Sequence, residues 1–258
     1  MTILDDIVEY KTTLIEDGYY KRKLTEIKSE RSHSKRSFIS ALEASNHIEV
    51  IAEIKSKSPS VKDIPTRNLV EQVKVYEAHG AKAISILTDE KYFSGSFERL
   101  MQLRQHTDLP ILCKDFIVDT SQIDVAHQAG ADIILLIVHI LTDAQLELLY
   151  NYALEKDLEV LVEVHDKQEL ERAHQLNPRL IGVNNRDLKT FITDVQHTKH
   201  ILNGDLNSHT YYISESGIQS PEDIAAIIDS GISGVLMGEA LMRSKRLDAL
   251  IPQLRQRI

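Results

Sequence analysis

An α/β fold, with its strands closed into a (β/α)8 TIM barrel behind an N-terminal helical extension, is the class that three observations in the sequence predict. Short apolar runs alternate with longer amphipathic segments about eight times from residue 48 onward. The runs are rich in Val, Ile and Leu without clean polar alternation, as strands are when both faces of a parallel sheet are covered. These units occupy only about 210 residues, a spacing that suits right-handed crossovers around a closed barrel. An open doubly wound sheet is the competing architecture, but it would announce itself with a glycine-rich first turn, which is absent.

The elements follow in chain order. Residues 1–45 carry helical periodicity at Ile3, Ile7, Tyr10 and Leu14 and again at Leu24 and Ile27, which predicts one or two helices packed across the barrel or its entrance. The run "IEVIAEIK" (48–55) is the first strand, and "NLVEQVKVYEAHG" (68–80) the first barrel helix, ended by Gly80. "AKAISILT" (81–88) precedes "SFERLMQLRQH" (96–106), which Ser96 caps. "PILCKDFI" (110–117) precedes "TSQIDVAHQAG" (120–130), and "ADIILLIV" (131–138) precedes "TDAQLELLYNYALEKD" (142–157), capped by Thr142. "LEVLVEVH" (158–165) leads into "DKQELERAHQL", capped by Asp166, and "LIGVNNRD" (180–187) into "DVQHTKHIL". "YYISESG" (211–217) precedes "SPEDIAAIIDSG" (220–231), and "ISGVLMG" (232–238) precedes the final helical segment. With no Ser/Gly-rich linker or shift in composition, residues 1–258 read as one barrel domain with 1–45 as its extension.

Composition narrows the function. The 258 residues are 42% hydrophobic and 27% charged, enough apolar material for a sizeable core. A formal charge of −9, from 30 basic and 39 acidic residues, speaks against nucleic-acid or anionic-membrane partners, so an anionic ligand would need a local basic pocket. The single cysteine, Cys113, rules out an intrachain disulfide and fits a reducing compartment. The first segment lacks a signal-peptide core and no run approaches about 18 apolar residues, so a cytoplasmic, soluble protein is expected.

Active sites of such barrels form at the C-terminal ends of the strands, and several strands here end in polar residues. Glu53 and Lys55 close the first, Lys114 the third, Glu163 the fifth, Asn184 and Arg186 the sixth, and Glu215 and Ser216 the seventh. Each alone reads as a charge reaching water, and the set alone as a structural ion-pair network. Their spread over five strands at one end favours acid–base groups with anion anchors. Gly217 and Gly238 follow the last two strands, where backbone N–H groups of barrels often meet phosphate. Cys113 should face away from Lys114 into packing; His197 and His200 have helical i, i+3 spacing without a carboxylate pattern, so no metal site is expected. His165 either lines the mouth or hydrogen-bonds to a neighbour, and both readings stand.

The segments "AEIKSKSPS", "ILTDEKYFSGS", "LCKDFIVD", "GADIILLIV", "VEVH", "IGVNNRDL", "ISESGI" and "LMGEALMR" occur in the order, and over nearly the whole length, that resembles the indole-3-glycerol-phosphate synthase family. That resemblance implies a carboxy-lyase of tryptophan biosynthesis, with no metal or organic cofactor. Such an enzyme closes, decarboxylates and dehydrates 1-(2-carboxyphenylamino)-1-deoxyribulose 5-phosphate, a small phosphorylated substrate, as a monomer or weak homodimer. By matching motifs, it implies Lys114 and Lys55 as catalytic lysines, Glu163 as their acid–base partner, and Glu53 and Asn184 as orienting groups. It assigns Ser58, Arg186 and Lys55 to anion recognition, and Phe93 and Phe116 to an aromatic pocket. Ser216, Gly217, Gly238 and Glu239 fall on the phosphate side, and Glu215 matches an active-site glutamate. Two departures stand out. "SPSVKDIP" puts Val61 and Lys62 where the family commonly has Lys-Gly, in a loop read as a lid; and Glu239 replaces a common Ser, so its side chain should turn away from the phosphate. The alternatives are a phosphoribosylanthranilate isomerase-like sugar-phosphate isomerase and a non-catalytic phosphate-ligand-binding barrel.

Overall fold

The computed structural model describes residues 2–27, 35–55, 68–187 and 192–258. Its eight strands pair in sequence order, all parallel, and the eighth returns to the first to close the barrel. They are β1 (Glu49–Ile54), β2 (Ala83–Leu87), β3 (Ile111–Lys114), β4 (Ile133–Ile137), β5 (Glu159–Val164), β6 (Leu180–Asn184), β7 (Tyr211–Glu215) and β8 (Ile232–Met237).

Alternation along each strand divides the core in two. Ile51, Ala83, Leu112, Ile133, Leu135, Leu161, Leu180, Ile213 and Leu236 meet inside the barrel. Their strand neighbours Val50, Ile84, Ile86, Cys113, Ile134, Val162 and Ile181 pack outward against the helices. Both sets are buried, which is why the strand sequences lack polar alternation. Cys113 is in the outer set, as its position beside Lys114 requires.

The outer layer is α4 (Leu69–Ala78), α6 (Phe97–Arg104), α7 (Thr120–Ala129), α8 (Asp143–Glu155), α9 (Lys167–His174), α10 (Gln196–Leu202), α11 (Pro221–Ile227), α12 (Glu239–Arg243) and α13 (Leu247–Leu254), with α1–α3 before the barrel and α5 between β2 and α6. The side-chain caps read from sequence form: Ser96 accepts from the Arg99 N–H at 3.1 Å, Thr142 from Gln145 and Asp166 from Glu169. The final segment is two helices, α12 and α13, rather than one. A short helix α5 (Glu90–Phe93) also lies between β2 and α6, because Asp89 accepts from the Tyr92 and Phe93 N–H groups and closes a single turn.

Among the described residues the extension holds three helices instead of one or two. α1 (Ile3–Glu16) and α2 (Tyr19–Glu26) lie on the side of the barrel mouth and against α7, while α3 (Phe38–Glu43) plugs the opposite end. Phe38 and Leu42 enter the inner cluster beside Ile51 and Leu180. The Glu159 carboxylate, at the start of β5, accepts from the N–H groups of Phe38 and Ile39, so α3 begins on a buried anion. Six residues are too few for the periodicity that revealed α1. Phe38 is fully buried, so Phe38→Ala should lower unfolding free energy by about 3–5 kcal/mol in a denaturant titration, and a change below about 1 kcal/mol would show that the plug is dispensable.

Candidate active site

The pleat carries the polar strand ends to one place. Glu53, Lys114, Glu163, Asn184 and Glu215 are the last inward positions of β1, β3, β5, β6 and β7, directly above the apolar inner cluster. The cavity over them, about 280 Å³, is also lined by Lys55, Arg186, Phe93, Phe116, Ser216, Gly217, Gly238 and Glu239. Ser58 and the "SPSVKDIP" loop lie outside the described residues.

Glu53 is the centre of the charge arrangement. Its Oε1 lies 2.9 Å from Lys55 Nζ and its Oε2 3.0 Å from Lys114 Nζ, while its own side chain is 2% exposed. Burial alone would raise its pKa, but Lys114 and Lys55 outweigh that and hold it at about 2. For Lys114, burial opposes the charge, but the neighbouring carboxylates, Glu53 foremost, raise it above the usual lysine range. Two lysine ammonium groups thus share one carboxylate beneath the cavity.

Glu215 does not reach the cavity wall. It is fully buried, with Oε2 3.6 Å from Lys114 Nζ. Its space comes from Gly182 on β6, where an added Cβ would stand 1.9 Å from Glu215 Oε1. Burial, then the nearby Glu163 and Glu53, push its carboxyl well above the ordinary range despite Lys114. Glu215 therefore favours the protonated form and spares the mouth a third anion. Glu163 behaves oppositely. Burial works against its charge, but His165, Lys114 and a hydrogen bond from Asn184 Nδ2 at 3.2 Å hold its pKa below the usual value. His165 settles its two readings by meeting neighbours: it is buried between Glu163 and Glu169.

On the side of β7 and β8 the backbone turns sharply. Ser216 and Gly217 both adopt left-handed φ, +66° and +82°, and a side chain at 217 would strike Thr193. Buried Asn185 holds this turn, donating to Ser214 Oγ at 2.9 Å and to the Ser216 carbonyl at 3.1 Å. Glu239 opens α12 and its carboxylate pairs with Arg243 at 3.0 Å, one turn further on. Arg186 is braced by its N–H on Asn184 Oδ1 and its Nε on Thr193 Oγ1.

The aromatic side owes its geometry to α1. Phe93 and Phe116 lie 5.8 Å apart with planes inclined at 30°, and Ile3, Leu4 and Ile7 complete that wall. Lys11, 3% exposed, bridges Asp89 at 2.9 Å and Asp115 at 2.6 Å. Asp89 caps α5, which carries Phe93, and Asp115 accepts from the Phe116 N–H and the Thr88 hydroxyl. One ammonium therefore ties α1 to both aromatic loops. The sequence reading missed Lys11 and the α1 wall, although Lys11 falls on the stripe formed by Leu4, Ile7 and Leu14 and so was marked for burial. Gly182 and Asn185 were also missed, and no pattern in the sequence separates them from ordinary strand residues. His197 Nε2 donates to the His165 carbonyl at 2.7 Å. Among the described residues no group of His, Cys, Asp and Glu has a metal-holding arrangement, and no helix is long and apolar enough to cross a membrane.

Fold and site together define a (β/α)8 barrel with a cluster of ionisable side chains at its mouth. A family model described as indole-3-glycerol phosphate synthase matches residues 4–254. Curated relatives of that name include those of Staphylococcus aureus strains Newman and MRSA252, each 59% identical over 255 residues that cover 99% of this chain and 98% of the relative. A solved thiamine phosphate pyrophosphorylase from Pyrococcus furiosus superposes with a TM-score of 0.60 over 80% of this chain and 93% of its own, at 17% identity, a likeness of fold alone. The chain belongs to the indole-3-glycerol phosphate synthase family, carboxy-lyases of tryptophan biosynthesis. That membership stands against both the isomerase-like and the non-catalytic readings.

Two outcomes follow from this geometry. Lys11→Met leaves Asp89 and Asp115 buried without their cation and should cost about 3–5 kcal/mol in denaturant unfolding; a loss under about 1 kcal/mol would contradict the clamp. Because the folded pKa of Glu53 is depressed from 4.5 to about 2, its stabilisation is fully present above pH 4.5 and fades as pH falls through 2. The difference in unfolding free energy between the wild type and Glu53→Gln should therefore narrow across that window, and a difference that stays constant would argue against the pairing.

Proposed function

We propose that the chain converts 1-(2-carboxyphenylamino)-1-deoxyribulose 5-phosphate into indole-3-glycerol phosphate, releasing CO2 and water, through Lys114, Lys55 and Glu163. The observation that carries this reading is the pair of ammonium groups on the shared Glu53 carboxylate, lining one cavity with Glu163 and an aromatic pair. As the aryl carbon attacks the ketone, negative charge develops on the ketone oxygen, and a preorganised ammonium stabilises or protonates it. Loss of CO2 restores aromaticity. Dehydration then needs an acid for the departing hydroxyl and a base for a ring proton, and the mouth offers both in its lysines and Glu163.

The substrate's remaining groups have matching surroundings. The turn at Ser216 and Gly217, with Gly238 and the first N–H of Glu239, suits the phosphate, with the Glu239 carboxylate neutralised by its pairing with Arg243. Arg186 and Lys55 suit the aryl carboxylate, and Phe93 and Phe116 its ring. Glu53 and Asn184 hold the reacting side chains rather than exchange protons themselves, and Glu215 acts from below through Lys114.

Supplying the carboxyphenylamino-deoxyribulose phosphate should yield indole fluorescence and one CO2 per turnover. A protein that releases neither would sink the assignment. Lys114→Ala should lower turnover by about 10²–10⁴-fold with an unchanged circular dichroism spectrum, and near-normal turnover would remove Lys114 from the mechanism.

A further inference from the structure

Glu163 is the inner end of a line of four titratable side chains. His165 follows it by two residues, one past the end of β5, and its ring returns to the Glu163 carboxylate. The imidazole is 8% exposed, with Nε2 3.1 Å from Glu163 Oε1 and Nδ1 3.1 Å from Glu169 Oε2. Glu169, in the first turn of α9, also accepts from the His165 backbone N–H at 2.8 Å, and its other oxygen lies 2.7 Å from Nδ1 of His139. His139 sits in the 3-10 turn after β4 with its side chain 47% exposed, so the line runs from the cavity floor to solvent. From α10, His197 braces the His165 carbonyl. Beyond Glu163 stand Lys114 on β3 and Asn184 on β6.

Glu169 only accepts, so Nδ1 carries a proton toward it, while buried Nε2 faces the Glu163 carboxylate at ion-pair distance, a contact that a ring protonated on both nitrogens favours. Burial opposes that charge, but Glu163 and Glu169 raise the His165 pKa to about 10. Glu163 is itself 5% exposed, and burial without a cation beside it would drive it toward the neutral acid.

We propose that His165 is a positioning residue for the reaction, an imidazolium clamped by Glu169 that keeps Glu163 ionised and fixed between His165 and Asn184 at the cavity floor. This rests on the reading of Glu163 as an acid–base group. The arrangement leaves Glu163 ready to take a proton at the start of each cycle, which a buried carboxyl without a cationic neighbour is not. Glu169 acts one step further out, since without its charge His165 loses part of the reason to stay protonated.

The test is the pH dependence of kcat/KM for the wild type, His165→Gln and Glu169→Gln on the carboxyphenylamino-deoxyribulose phosphate. The acid limb reports ionisation of the free enzyme's base. In His165→Gln it should move upward by one pH unit or more, about a tenfold additional loss one unit below the limb, and in Glu169→Gln it should move the same way by less. A loss that is uniform across pH, or a limb unmoved in both variants, would overturn the proposal. If His165→Gln does not fold, Glu169→Gln carries the kinetic test alone. The ¹⁵N shifts of His165 in the wild type add a second measure: an imidazolium pattern up to pH 8 is expected, and a neutral ring at pH 7 overturns the proposal. Glu163→Gln separates this from the underlying reading. Normal turnover in that variant would remove Glu163 as a base, whereas an inactive Glu163→Gln with an unmoved limb in His165→Gln and Glu169→Gln would remove only the role of His165.

Discussion

The mouth of this barrel depends on one carboxylate shared by two ammonium groups. Glu53 is almost wholly removed from water, as an isolated anion could not be at tolerable cost. Lys55 and Lys114 could not approach each other without it. Together the three make a cluster with one net positive charge, and both lysines line the cavity. Such a cluster is poor value as a source of stability, since apolar packing of equal volume would often serve as well. It stands directly above the apolar inner cluster.

Around this centre the other carboxyls are given different states by their surroundings. Glu215, under Lys114 and in the space Gly182 leaves, is driven toward the neutral acid, while Glu163, beside His165 and Asn184, is held as an anion. Three glutamates within one barrel mouth thus carry two charges opposite two lysines and an imidazolium. The division is environmental: the side chains are chemically identical, and their cationic neighbours and burial distinguish them.

The α1 helix extends the same logic to the aromatic wall. A buried Lys11 serves the carboxylates of Asp89 and Asp115, and those two in turn hold the turns that carry Phe93 and Phe116. The extension is thus part of the pocket at one end of the barrel and, through α3, a plug at the other.

How much of this could be read beforehand depended on the range of the forces involved. Strand and helix alternation, the caps at Ser96, Thr142 and Asp166, the outward Cys113 and the polar strand ends are local patterns, and the sequence by itself determined them because periodicity and capping act within a few residues. Only the tertiary structure decided which charges meet. The sharing of Glu53, the burial of Glu215 under Lys114, the placing of His165 between Glu163 and Glu169, and the reach of Lys11 to two loops join residues from 2 to more than 100 positions apart. Their protonation states follow from distance and exposure in the closed barrel, which no stretch of sequence carries.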